Sequence, residues 1–173
     1  MNQHIILSGN CYWCLEAIFQ QLKGIENIKS GMYHIHNYSY SFGAGDKVEA
    51  ISFEYQPEKI SLESIMDVFY MAHNPTLINW ESDSFFPLCR SAVFVIDENQ
   101  KTIVNKKIEE YKKQFSDPVQ TKIDFISPNC FKEVEEKNRN YYNNNRKDGY
   151  CTSIVDPKLD KLRKNFAHLL KNN

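Results

Sequence analysis

Residues 4–24 read HIILSGNCYWCLEAIFQQLKG, and the spacing of apolar residues changes once within them. Ile5-Ile6-Leu7 is a short apolar run that Gly9 ends, so it reads as a strand. Leu15, Ile18, Phe19 and Leu22 then recur at helical spacing, and Gly24 stops that helix. Ile25 to Tyr33 follows as a second strand, and His34 to Gly45, polar with aromatics and glycines, as a loop. Val48 to Tyr55 is a third strand, closed by Pro57. Ser61 caps a helix with Leu62, Ile65, Met66 and Phe69 in register, and Asn74-Pro75 closes it. Ser91 to Asp97 is a strand apolar on both faces, hence central.

Strand, helix, strand, strand, helix, strand is the split β-α-β order of ferredoxin-like folds. The expected fold is therefore an α+β sandwich with a mixed sheet and extra C-terminal helices. Val104, Ile108, Tyr111 and Phe115 place a helix after the core. Val119 to Ile126 is one more strand, and Asp156-Pro157 starts a last helix with Leu159, Leu162, Phe166 and Leu169 on one side. Glu133 to Arg146, polar and with three consecutive asparagines, shows no period. No repeat or linker divides the chain, so residues 1–173 read as a single domain.

Hydrophobic residues make up 42 % of the chain, enough for a sizeable core, and the net charge of −1 gives no footprint for nucleic acid. MNQHIILSGN lacks the basic start and apolar core of a signal peptide, and Ala92 to Ile96, the longest apolar run, is far short of a membrane span. The expectation is a cytoplasmic protein with no membrane partner. Five cysteines (Cys11, Cys14, Cys89, Cys130 and Cys151) are an odd number without an export signal, which argues for thiols over a disulfide framework.

Cys11 lies just before or on the first turn of the predicted helix. Unpaired N–H groups and the helix dipole favour an anion there and lower a thiol's pKa. With Cys14 one turn on, redox chemistry is favoured over two small buried hydrophobes. Zinc would need further ligands, and the spacing of His34 and His36 matches no common pattern. Glu49 shares a strand face with Ile51, Phe53 and Tyr55. If that face is the core, burial raises the carboxyl's pKa and lets it donate a proton; if the strand end is solvated, Glu49 is ordinary.

Four segments resemble the class A peptide-methionine sulfoxide reductases, in family order and over nearly the whole chain. GNCYWCLEAIFQQLKGI is similar to the family's GCFWG or GCFWC helix start. VEAISFEYQPEKIS resembles AExVxVxFDPxxIS, HNPTLINWESDSFFPLCRS resembles HDPTTLNRQGNDxGTQYRS, and GYCTSIVDPKLDKLRKNF resembles the GYCQFVIxPKVxKFRKxF tail of one bacterial subgroup. The resemblance implies a cofactor-free and metal-free thiol reductase for the S epimer of methionine sulfoxide, free or in proteins. Carried over, Cys11 attacks the sulfoxide sulfur and becomes a sulfenic acid, and Glu49 protonates the sulfoxide oxygen. Cys151 condenses with that sulfenic acid, and thioredoxin or another dithiol reduces the disulfide; Cys14 is the alternative resolving partner. Tyr12 and Trp13 match the aromatic pair that packs on the substrate methyl group. Tyr38 or Tyr40 matches the loop tyrosine that hydrogen-bonds the sulfoxide oxygen. The expected enzyme is a monomer.

The departures cluster in the polar lining. Met32-Tyr33-His34 replaces glycines, and Asp46-Lys47 replaces a glycine-histidine pair. Ser84 stands at a family aspartate, with Asp83 next to it; Cys89 stands at a second oxygen-binding tyrosine; Asn138-Arg139 replaces a histidine-glutamine pair. Two other readings fit this divergence: a related thiol enzyme for a different small oxidised substrate, or a scaffold that binds methionine-like side chains without catalysis. Cys130 matches no family role, and His73 reads as a helix-end residue that caps or packs.

Overall fold

A computed structural model describes residues 1–9, 11–35, 47–76 and 90–171. Strand β1 (Gln3–Ser8) leads through helix α1 (Tyr12–Phe19) to β2 (Ile25–His34), and β3 (Lys47–Tyr55) through α2 (Leu62–Ala72) to β4 (Ala92–Val95). In the sheet β3 lies between β1 and β2, antiparallel to both, and β1 lies between β3 and β4. Each β-α-β unit is thus split by a strand of the other, as the element order predicts.

Two edge strands extend this core. β5 (Lys122–Phe125) follows α3 (Glu98–Lys112) and pairs with β4 in parallel, and β6 (Phe131–Glu133) pairs antiparallel with β2. The six-strand order is β5-β4-β1-β3-β2-β6, a mixed sheet.

Alternation along the strands gives the sheet two faces. Ile5, Leu7, Ile51, Phe53, Val93 and Val95 meet the helices, where Leu15, Ile18, Phe19, Ile65, Met66 and Phe69 fill the larger core. Ile6, Tyr33, Val48, Ala50 and Phe94 face the other way, over a smaller core with Cys130. Each fully buried Leu, Ile or Phe contributes roughly 1.5–3 kcal/mol over exposure, so burial in the larger core fixes the seat of α1.

Helix ends follow the expected chemistry. The Ser64 N–H donates to Ser61 Oγ at 3.1 Å, and the Gln100 N–H to Asp97 Oδ1 at 2.8 Å. Asp97, read as strand, is thus the cap of α3, which ends at Lys112, before Phe115. Gly24 has φ +77°, and a Cβ there would meet Lys59 Cβ at 2.8 Å, so only glycine turns the chain at that point. After α5 (Asp156–Asn165) the tail returns to the end of α1: the Lys23 N–H donates to the Leu169 carbonyl and the Lys171 N–H to that of Gln21.

The segment 133–146 holds the end of β6, a 3₁₀ turn at Glu136–Asn138 and a one-turn helix α4 (Tyr141–Asn144). Asn140 enters α4 in the left-handed region, φ 52°, which asparagine tolerates. The strand expected over 119–126 shortens to Lys122–Phe125, since only those residues pair with β4. No helix among the described residues is long and apolar enough to cross a membrane.

Candidate active site

Cys11 is the N-cap of α1: its carbonyl accepts from the Cys14 and Leu15 N–H groups at 3.0 and 3.3 Å. Its sulfur accepts from the Trp13 N–H, an otherwise orphaned helix-start donor, and the Tyr150 side chain lies close by. Glu49 stands on the helix face of β3, as the period-two pattern predicts, and is half-buried. The Tyr12 N–H donates to Glu49 Oε1 at 3.2 Å. One helix start therefore serves two groups that can each become an anion.

The Cys11 thiol is 5 % exposed. Burial, followed by the charge of Glu49, holds its pKa far above the ordinary thiol range; the Trp13 N–H and the nearby Tyr150 side chain pull the other way and lose. The expected thiolate at a helix N-terminus is thus outweighed while Glu49 is ionised. The thiol donates to the carboxylate, so the two side chains share a proton. Protonating Glu49 removes the repulsion, the second-largest cause, and brings the thiol down, while burial still opposes the sulfur anion.

Aromatic rings surround it. Trp13 lies flat on Tyr141, centroids 3.6 Å apart and planes 6° apart. Tyr12 and Tyr150 meet Trp13 edge-on at 6.3 and 5.8 Å. Burial and Glu49 push the Tyr12 phenol up to about 12, so it stays a neutral donor. Asp148 ties the wall together: Oδ2 accepts from the Tyr141 hydroxyl at 3.1 Å, and Oδ1 from the Tyr150 N–H at 2.9 Å.

Cys151 is wholly buried and opens a π-turn, Cys151–Val155, that runs into α5. Tyr141 feels the charge of both Cys151 and Cys11, so both thiols lie near its hydroxyl. Cys14, also wholly buried, lies near Cys151 and receives a hydrogen bond from Lys158, whose Nζ also donates to the Ala72 carbonyl at 2.6 Å. Burial raises both thiols. Cys130 sits in the core on the opposite face of the sheet.

Cys11, Glu49, Tyr12, Trp13, Cys151 and Cys14 thus gather on one face of the sheet. Tyr38, Tyr40, His36, Asp46, Asp83, Ser84 and Cys89 lie outside the described residues. Arg139 is exposed and donates to the Val134 carbonyl at 2.9 Å, shaping the turn that precedes Tyr141. Tyr141, Tyr150 and Glu16 were not legible as site residues. Tyr150 adjoins Cys151 in GYC, which was a signal; Tyr141 sits in the aperiodic segment, and Glu16 interrupts a core stripe. Among the described residues no group of three His, Cys, Asp or Glu side chains could hold a metal ion.

Known proteins share this arrangement of elements. Residues 3–170 match the family described as peptide methionine sulfoxide reductase. A relative from Chromobacterium violaceum, named peptide methionine sulfoxide reductase MsrA, is 34 % identical over 96 % of this chain and 98 % of its own. The crystal structure of Mxr1 from Saccharomyces cerevisiae in reduced form superposes with a TM-score of 0.71 at 21 % identity, covering 87 % of this chain and 89 % of that one. Mxr1 in complex with Trx2 superposes at 0.57, with 20 % identity, over 81 % and 84 % of the two chains.

Proposed function

The chain belongs to the peptide methionine sulfoxide reductase family, a family of oxidoreductases, and from that premise we propose how its residues divide the reaction. The substrate is methionine-(S)-sulfoxide, free or in peptides. The observation that carries the proposal is the pairing of Cys11 and Glu49 across the first turn of α1, where each receives a backbone N–H and each contacts the other.

Sulfoxide sulfur is a poor electrophile until its oxygen is protonated. Glu49 passes a proton to that oxygen, and the proton lost from Cys11 replaces it on Glu49. The sulfur of Cys11 bonds to the sulfoxide, and the oxygen moves to Cys11 as a sulfenic acid while methionine leaves. Trp13 and Tyr12 pack on the methyl group. The Cys151 thiol then attacks the sulfenic sulfur, expelling water and forming a Cys11–Cys151 disulfide. A dithiol reductant returns both thiols and takes up the disulfide itself; the Trx2 complex of yeast Mxr1 supports a thioredoxin in that role. The same reading takes residues 1–173 as one monomeric domain working in a thiol-reducing compartment, the cytoplasm. Lys158 on the Cys14 thiol supports Cys14 as the second candidate for closing the disulfide.

Wild-type protein is expected to turn over methionine-(S)-sulfoxide with dithiothreitol, and Cys11→Ser to abolish that turnover. Cys151→Ser should keep activity with dithiothreitol and lose most of it with thioredoxin. Absence of turnover by the wild-type chain on either epimer, free or in a peptide, overturns the reductase reading; equal loss with both reductants removes Cys151 from the resolving role.

A further inference from the structure

Glu16 is 4 % exposed, a carboxyl group enclosed in the helix layer. Burying such a group is costly unless its oxygens are satisfied. Its partners are specific: the Tyr141 N–H donates to Glu16 Oε1 at 3.3 Å, the Asn140 N–H also donates to the carboxyl, and the Ser30 hydroxyl of β2 faces it. Those amides are the orphaned donors at the start of α4. Asn140 does not cap them with its own side chain, which instead accepts from Gln20 and Asn143.

Trp13 and Glu16 are three residues apart in α1, hence neighbours on one helix face. The face that presents Trp13 therefore also presents the acceptor for the backbone that carries Tyr141. Glu16 holds that backbone, Asp148 holds the Tyr141 hydroxyl at 3.1 Å, and between the two the ring lies flat on Trp13 at 3.6 Å. Neither Trp13 nor Tyr141 is fully buried, so part of the stacked pair meets solvent.

We propose that Glu16 is a positioning residue and Tyr141 the substrate-contacting residue it serves: the buried carboxyl holds Tyr141 against Trp13 and so completes the aromatic wall that receives the substrate's methyl group. The inference rests on the methionine sulfoxide reading for its substrate, but not for its geometry. A wall assembled before binding lowers KM without touching the proton and sulfur transfer.

The test compares Glu16→Ala, Glu16→Gln and Tyr141→Leu in a Trp80→Phe background, where Trp13 is the only tryptophan. Acrylamide quenching of Trp13 is expected to rise at least twofold in Glu16→Ala and in Tyr141→Leu, and to stay at the parent value in Glu16→Gln, whose amide oxygen still accepts. KM for a methionine-(S)-sulfoxide peptide should rise about tenfold in the first two variants, with kcat within threefold, and the double variant should be no worse than Tyr141→Leu alone. Parent-like quenching in Glu16→Ala, or a full further KM increase on adding it to Tyr141→Leu, overturns the proposal. If Glu16→Ala does not fold, Glu16→Asp, one methylene short of the two amides, carries the same comparison. Quenching is read on free protein, so it decides the positioning role even where turnover fails.

Discussion

Burial and then the charge of Glu49 raise a thiol that the helix-start donor pulls down, and the charge is the part a single substitution removes. Removing the carboxylate's charge removes the second-largest cause of the raised Cys11 pKa. Glu49→Gln should therefore make Cys11 more reactive toward iodoacetamide: the midpoint of its rate against pH is expected to fall by a unit or more. Turnover should move the other way, down by about a hundredfold, because no acid remains for the sulfoxide oxygen. An ordinary loss of site structure would not speed alkylation while slowing catalysis. If the alkylation midpoint stays put in Glu49→Gln, the shared proton is refuted.

Between elements, the least expected device is a buried polar chain at the end of α2. The Tyr70 hydroxyl donates to Thr121, which pairs with Ser91 at 2.7 Å, and Ser91 meets His73 Nε2 at 2.8 Å. His73 Nδ1 faces the Phe69 carbonyl at 2.6 Å and therefore carries the ring's hydrogen, leaving Nε2 as an acceptor. The ring also fills the space beside Gly9, where a Cβ would come within 2.8 Å of it, so α2 supports the turn that leads to Cys11. Burial lowers His73 from 6.5 to about 4. The unfolded chain thus binds one more proton than the folded chain between those values, and stability contributed by the neutral ring is complete above pH 6.5 and lost as pH falls toward 4. The contribution is up to about 3 kcal/mol. His73→Gln should be less stable at pH 7, but its urea midpoint should fall less steeply from pH 6.5 to 4.5; equal slopes would mean that His73 does not carry the acid sensitivity.

The same scale shows what the sequence could express. The six core elements and the face of Glu49 follow from spacing alone, because burial imposes a period on residues such as Leu15, Ile18 and Phe19. Helix α4 and strand β6 impose no period: β6 is short and borrows its order from β2, and α4 borrows its from Glu16 and Asp148. Tyr141 and Tyr150 are for that reason the part of the site that sequence patterning does not display. His73 was legible as a helix-end residue, yet its chain to Ser91, Thr121 and Tyr70 joins three distant segments that no local pattern links.

Over the whole molecule, the sheet divides the four described thiols. Cys11, Cys14 and Cys151 lie on the helix face and Cys130 on the other. A disulfide needs Cβ atoms about 3.5–4.5 Å apart, a separation no pair of side chains meets across a packed sheet. Among the described residues, Cys130 is therefore kept from pairing with Cys11, Cys14 or Cys151. Cys151 has no exposure, and no bond joins it to Cys11 in the packing described here. The element able to give way is the π-turn Cys151–Val155, an irregular ladder whose Ile154 is already 41 % exposed, entered through the Asp148 turn and continued by α5. Oxidation by methionine-(S)-sulfoxide without reductant should thus consume Cys11 and Cys151 while Cys130 stays a thiol, as read by peptide mapping after denaturing alkylation. Amide exchange should quicken across residues 148–158 in the oxidised protein relative to the reduced one, and Cys151→Ser should abolish that difference. Cys151 oxidised with unchanged exchange across 148–158 would mean that the thiols already meet without opening the turn; Cys14 oxidised instead would move closure to the first turn of α1, where no opening of 151–155 is needed.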